Sequence, residues 1–296
     1  SGDLNHIQGI AFRHNGNVVK TPERSFTKNP DEFPFPARGL FPMPLYKNPG
    51  QVLASRGGCC YNCHFCAVNS IWKGARRFRD PANVIKEIEH IAQNYEVNEV
   101  SFADDALTMN REHIIAICNL SKELSFNWRW KCATRVDLVD EELLTKMHEA
   151  GCFNITYGVE AGSQEILNAI GKNISLEQVL KAVTITSKLG IGVICAFMFP
   201  HPFDTETTVQ AQKEFMKKLK HIGANLSMAF TTPFPGTFYY NNRDELGIKI
   251  NSSCWNDFDC RHLLFTPPGI SENKLVHLLK DMVTELGMTC EDEWGL

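Results

Sequence analysis

Between residues 50 and 231, six short apolar runs alternate with longer amphipathic stretches, and nothing else in the chain limits its fold as strongly. The runs fall at 51–55, 99–103, 128–133, 153–159, 192–199 and 224–231, most of them bounded by Gly, Asp or Asn. Several are close to continuously apolar, as strands covered on both faces are. Helix starts are legible between them. Asp80 before Pro81 sets a cap ahead of a first-turn proline, with Ile85, Ile88 and Ala92 on one face. Ser175 and Gln178 form a capping box opening a helix to about residue 188. Strands joined by helical crossovers run parallel. Six units are fewer than the eight of a closed barrel. The expectation is therefore an α/β fold, a partial (β/α)6 parallel barrel over 49–240, with its site in the loops after the strand C-termini.

The flanks read differently. Residues 1–48 are rich in Pro, Asn and Arg without sustained periodicity, an N-terminal extension wrapping a core. Residues 241–296 form a C-terminal accessory segment with a helix from about 271 to 286. The chain opens on Ser1 rather than Met, which reads as a piece of something longer. With 296 residues, 43% of them hydrophobic and a net charge of -4, one barrel-sized domain is the natural reading. No run suits a membrane span or a signal peptide, so the expected setting is cytoplasmic. The charge balance makes nucleic acid an unfavoured partner.

Eleven cysteines without a secretion signal do not suit a disulfide framework. Cys118, Cys132, Cys152, Cys195, Cys254, Cys260 and Cys290 are scattered singly and read as idle thiols. The other four lie between Cys59 and Cys66, in a glycine-led loop at the end of the first strand. Cys59, Cys63 and Cys66 give C-x3-C-x2-C. Soft thiolates at close spacing let one loop wrap an iron–sulfur cubane. Three thiolates on four irons leave one iron open to a ligand. The rival is zinc, held by the trio with either His64 or Cys60. Structural zinc usually joins two ligand pairs across a spacer, and no second pair follows.

C-x3-C-x2-C with Phe65 before the last cysteine resembles the signature of the radical S-adenosylmethionine superfamily. The likeness continues along the chain. Ser101 to Asn110, carrying Asp104 and Asp105, resembles the acidic strand-end motif that holds the methionine amine. Ala133 to Asp137, with Arg135, is similar to the family at the third strand end. Gly158 to Ser163, with Glu160, resembles its G-x-E-x-G-S element, and Thr232 to Thr237 follows the sixth strand as in the family. The resemblance implies a 4Fe–4S cluster on Cys59, Cys63 and Cys66. It also implies S-adenosylmethionine held through Phe65, Asp104, Asp105, Arg135, Glu160 and Ser163. Charge-assisted bonds from the ammonium to the two aspartates are the physical reason. Taken singly, Asp104 and Asp105 read as helix caps, Arg135 as a surface ion pair and Ser163 as a turn residue. Convergence at successive strand ends favours a site.

Gly9 to Gly16, Phe33 to Arg38 and Trp255 to Asp259 resemble connector and tail regions of the cobalamin-dependent branch. That likeness implies cobalamin held by a domain not in this chain, and methylation of a carbon centre. Two departures stand out. No D-x-H-x-x-G occurs, and Phe199 to Asp204 replaces a glycine-rich turn. Without cobalamin, hydrogen abstraction leads instead to rearrangement, dehydration, cyclisation or epimerisation. A zinc-stapled α/β binding module is the reading from another class. Methylthio transfer to tRNA is disfavoured by the lack of a second cysteine trio. Implied partners are a small-molecule or peptide substrate and an electron donor such as flavodoxin or ferredoxin. Lys73, Arg76, Arg77 and Arg79 read as a solvated basic face, and second as a docking patch for that donor. Anaerobic reconstitution is expected to give a brown protein carrying iron and acid-labile sulfide, lost in Cys63→Ala. A colourless protein with one zinc contradicts the cluster.

Overall fold

A computed structural model describes residues 3–46, 50–57, 59–95 and 97–288. Gly58 of the glycine-led loop, Cys290 and the outer ends of the two flanking segments lie outside the described residues. At the centre is one sheet of β1 (Gln51–Val52), β2 (Glu99–Phe102), β3 (Arg129–Thr134), β4 (Cys152–Glu160), β5 (Gly192–Phe199) and β6 (Asn225–Phe230). The strands lie in chain order with every neighbouring pair parallel. β1 and β6 are its two edges, so the six-unit sheet is open. The crossovers are α1 (Pro81–Tyr95), α2 (Arg111–Ser121), α3 (Glu141–Glu149), α4 (Leu176–Lys188) and α5 (Glu206–His221). Asn110, Asp140, Ser175 and Thr205 each cap the helix that follows through a side-chain oxygen. The box at Ser175 and Gln178 is complete. Among the described residues no helix is long and apolar enough to cross a membrane.

The first strand is shorter than its apolar run. Only Gln51 and Val52 join the parallel sheet, whereas Ser55–Gly57 pairs antiparallel with Arg76–Phe78. The cause is Asp104, at the end of β2. Its carboxylate accepts from the Ala54 and Ser55 backbone N–H groups at 2.9 and 2.7 Å, and from the Ser55 hydroxyl at 2.5 Å. The chain is thereby pulled away from the ladder towards the cysteine loop.

The strands are also not covered on both faces. In β5, Val193, Cys195, Phe197 and Phe199 are buried, while Gly192, Ile194, Ala196 and Met198 keep partial exposure. β3 and β4 alternate in the same way. One face carries the helices. The other stays open near the strand ends, where Ala133, Gly158, Ala196 and Ala229 are small. An unclosed sheet leaves this hollow as room for ligands.

The basic run after the cysteine loop is not one solvated face. Lys73 pairs with Glu23. Arg77 lies over Phe26 and Trp72 and bonds to the Thr27 carbonyl. Arg79 is buried, and with Arg38 it grips Glu87, at 2.5 and 2.7 Å. Long side chains leaving a short hairpin reach the neighbouring extension before they reach water. Within that extension, Ala11–His14 and Asn17–Lys20 form a hairpin around Asn15 and Gly16, with φ 49 and 81. The Asn-Gly pair is the sequence signal for such a turn. At the other end, α6 (Glu272–Leu286) packs on α5, with Lys213 reaching Asp281 and Glu285, each at 2.7 Å. Of the single cysteines, Cys118, Cys132, Cys152 and Cys195 are buried, Cys260 is partly buried and Cys254 is exposed.

Candidate active site and cofactor centre

The cysteine loop is stitched to the strand ends by its own backbone. The His64 N–H donates to the Ile170 carbonyl at 2.9 Å, and the His64 carbonyl accepts from Tyr239 at 3.1 Å. Asn69 donates to the Tyr61 carbonyl at 2.6 Å. The Tyr61 ring lies 3.5 Å from the Arg135 guanidinium carbon, and its hydroxyl is 3.2 Å from Asp137. Segments after β3, β4 and β6 thus hold one loop.

Cys59, Cys63 and Cys66 are partly buried. Cys60 is exposed, with its sulfur 3.7 Å from Met109 Sδ. The His64 ring stacks on Phe238 with centroids 4.2 Å apart. Among the described residues, no three His, Cys, Asp or Glu side chains converge on a point that could hold a single ion. Burial pushes the Cys59 and Cys63 thiols up, while the positive Arg135 and Lys172 pull them back. Burial takes Cys66 up to about 11. Such thiols keep their protons until metal replaces them. Three soft donors in one loop, with two cations beside them, fit a 4Fe–4S cluster, whose thiolates and sulfides carry negative charge.

The other sequence-derived positions gather around this loop, with differing freedom. Asp104 is buried and fully engaged by Ala54 and Ser55, and burial raises its carboxyl against those bonds. Asp105 is exposed at its rim and shares a small crevice with Cys59, where partial desolvation, followed by the neighbouring Asp104 charge, raises its carboxyl. Arg135 is buried, bonded to both Asp137 oxygens at 2.8 and 3.0 Å and 3.9 Å from the Cys63 sulfur. Glu160 has φ 73 beside a register shift in β4, a bulge that re-aims its side chain. Ser163 is buried at the start of the short helix Gln164–Ala169, and its hydroxyl does not cap that helix. Phe65 packs against the core, its ring 5.8 Å from that of His201.

Two residues join this set that sequence reasoning passed over. Lys172 is buried, bonds Glu160 at 2.8 Å, and offers its carbonyl to Arg135 at 2.8 Å. A Cβ at Gly158 would lie 2.4 Å from Glu160 Oε1 and 3.1 Å from Lys172 Nζ, so the glycine makes room for this pair. The signal was a lone cation in the polar turn just after the Gly158 to Ser163 motif. His201 is fully buried and its imidazole is driven down to about 4 by that burial, so it is neutral at physiological pH. Its Nδ1 lies 3.1 Å from the Tyr239 hydroxyl, and its N–H donates to Asp204 at 2.7 Å. Asp204 thus closes the Phe199 to Asp204 turn, and the imidazole fills space that a glycine would leave empty.

These contacts separate the two adjacent acids. Asp104→Asn, which turns one acceptor into a donor facing backbone N–H, is expected to cost about 1–3 kcal/mol and to lower iron retention. Asp105→Asn is expected to leave denaturant unfolding unchanged. Equal effects on unfolding would show that Asp104 does not hold the loop.

A family model described as the radical SAM superfamily matches residues 55–235. An uncharacterized methyltransferase of Pyrococcus horikoshii is 35% identical over 240 residues, covering 79% of this chain and 51% of that protein. The anaerobic magnesium-protoporphyrin IX monomethyl ester cyclase of Rubrivivax gelatinosus is 26% identical over 283 residues, covering 93% of this chain and 50% of that protein. Among solved structures, the radical S-adenosylmethionine methyltransferase TsrM from Kitasatospora setae, with cobalamin and a 4Fe–4S cluster bound, matches with a TM-score of 0.66. Its identity is 18%, over 79% of this chain and 52% of that one, a likeness of fold. The chain spans about half the length of the curated relatives it matches. The family model takes in the cysteine trio, β2 to β6 and the motifs at their ends, and the chain belongs to the radical S-adenosylmethionine superfamily.

Proposed function

We propose that this chain cleaves S-adenosylmethionine reductively at a 4Fe–4S cluster on Cys59, Cys63 and Cys66, and abstracts hydrogen from a bound substrate. A cluster held by Cys59, Cys63 and Cys66 would supply the one electron that breaks the sulfur–C5′ bond, with methionine and, after transfer of a substrate hydrogen, 5′-deoxyadenosine as products. The observation that carries the reading is the position of Arg135 and Lys172, two buried cations reaching the cysteine loop and Glu160. Such cations suit a carboxylate held beside an open iron.

The chain's own residues then divide the cosubstrate between them. Lys172 and Arg135 take the methionine carboxylate, with Ser163 donating its hydroxyl. Asp105, exposed beside Cys59, accepts a hydrogen bond from the methionine amino group. Asp104 acts through Ser55, keeping the loop at the right height. Glu160 accepts from a ribose hydroxyl, and the backbone at Phe65 reads the adenine edge. The hollow above the small strand-end residues gives the substrate room and fixes the reacting carbon.

The outcome we favour is methylation of a carbon centre with cobalamin bound by a domain beyond these residues, in a reducing, cytoplasmic setting, with flavodoxin or ferredoxin as reductant. The methyltransferase names of two of the similar proteins support it. A cyclase among the relatives favours radical cyclisation as the second reading.

Anaerobic protein with dithionite is expected to release 5′-deoxyadenosine and methionine. Lys172→Met is expected to keep its iron yet bind S-adenosylmethionine roughly tenfold more weakly, about the 1.5–3 kcal/mol of a charged hydrogen bond at its lower end. S-adenosylhomocysteine formed alongside deoxyadenosine marks methyl transfer, and deoxyadenosine alone marks the cyclase reading. Iron-loaded protein that releases no deoxyadenosine sinks the proposal.

A further inference from the structure

A second cavity, of about 490 Å³, lies between the N-terminal extension and the open edge of the sheet at β1. Its outer wall carries Phe33, Phe41, Met43 and Tyr46, and its inner wall Gln51 and Leu53 of the β1 end and Ala103 of the β2 end. The size is that of a small-molecule site. Three of its rings are left half in water, Phe33 and Tyr46 at 51% and Phe41 at 58% exposure.

The cavity is also cationic. Arg38, Arg56 and Arg79 line it against the single carboxylate of Glu87. Arg38 is buried at 7% exposure, and its Nη2 serves both the Gln51 carbonyl and Glu87, while among the described residues its Nη1 has no partner. Arg56 is exposed, and no bond to its guanidinium occurs among the described residues. A buried guanidinium with an unused N–H, a second one with no counter-ion, and aromatic walls together describe the complement of an apolar body bearing an anion.

The inner wall explains what that body is for. Ala103 precedes Asp104, and Leu53 precedes Ala54, which Asp104 holds. The cavity therefore abuts the strand ends that flank the candidate S-adenosylmethionine site. We infer that it seats the non-reacting part of the substrate, an apolar and partly aromatic group carrying a carboxylate or phosphate, so that the substrate's reacting carbon projects along β1 and β2 into the hollow. This rests on the radical reading above for the meaning of the hollow, but the binding chemistry stands on the cavity alone.

The test uses the reconstituted protein under anaerobic conditions, with anilinonaphthalene sulfonate as a fluorescent apolar anion, and dodecanoate or dodecanol as competitor. Dodecanoate is expected to displace the probe at least tenfold more effectively than dodecanol. Met43→Trp, which fills the cavity, is expected to weaken the probe tenfold or more. Arg56→Gln, a change at an exposed position, is expected to abolish most of the preference for dodecanoate. Leu40→Ser, on the exposed apolar surface outside the cavity, is expected to change neither. Probe binding that survives Met43→Trp, or equal displacement by acid and alcohol, overturns the inference. Uncoupled deoxyadenosine release by Leu40→Ser is expected within twofold of the parent protein. Loss of release in every protein, with the probe pattern intact, counts against the radical reading and leaves the cavity assignment standing.

Discussion

Everything at the rim of this sheet depends on a carboxylate that reaches sideways. Asp104 ends β2 and accepts three hydrogen bonds from the chain leaving β1. A buried carboxylate is costly unless its lone pairs are filled, and here they are filled by the segment that must carry the cysteines. The result is a short first strand, a hairpin with Arg76–Phe78, and a loop whose start is fixed relative to the second strand end. The far side of the loop is fixed separately, through His64 to Ile170 and Tyr239. Two unrelated sets of backbone bonds thus set the height of three thiols over one open hollow.

The charge layout follows from that placement. Arg135 and Lys172 are buried cations whose partners, Asp137 and Glu160, lie on the same strand-end loops. They oppose, without reversing, the burial that keeps the Cys59 and Cys63 thiols protonated. Both cations are held in place by those partners, so their positive charge beside the cysteine loop is fixed in advance of any ligand. Glu160, the partner of Lys172, has a left-handed backbone conformation unusual for its residue type. On the opposite flank, Arg38 and Arg79 converge on Glu87 and brace the N-terminal extension against the sheet edge. Buried arginines therefore stand both at the cysteine loop, as Arg135, and at the β1 edge, as Arg38 and Arg79.

Much of this was legible because it is local. Strand and helix order follow from apolar runs and caps, as at Ser175 and Gln178, where side chain and backbone are only three residues apart. The cysteine spacing is local too. What sequence could not supply was long-range pairing. Asp104 bonds residues 49 and 50 positions away, and nothing in its neighbours distinguishes that role from a helix cap. Arg77 and Arg79 read as solvated because their partners, Thr27, Asp31 and Glu87, lie on other segments. Lys172 was overlooked for the same reason, since its partner is 12 residues back across a helix. The apparent two-sided burial of the strands failed because small residues such as Ala196 and Gly158 count as apolar while lining a half-open face.

The claim on which the chemistry turns is that the trio leaves one metal position for the amino and carboxylate ends of S-adenosylmethionine. Electron–nuclear double resonance on the reduced, reconstituted protein, with S-adenosylmethionine labelled at its amino nitrogen, tests that contact without requiring a substrate. A nitrogen coupling of directly bonded strength is expected, weakened or lost in Lys172→Met. A cluster signal with no coupling to the label, in protein shown to be saturated with S-adenosylmethionine, would contradict it.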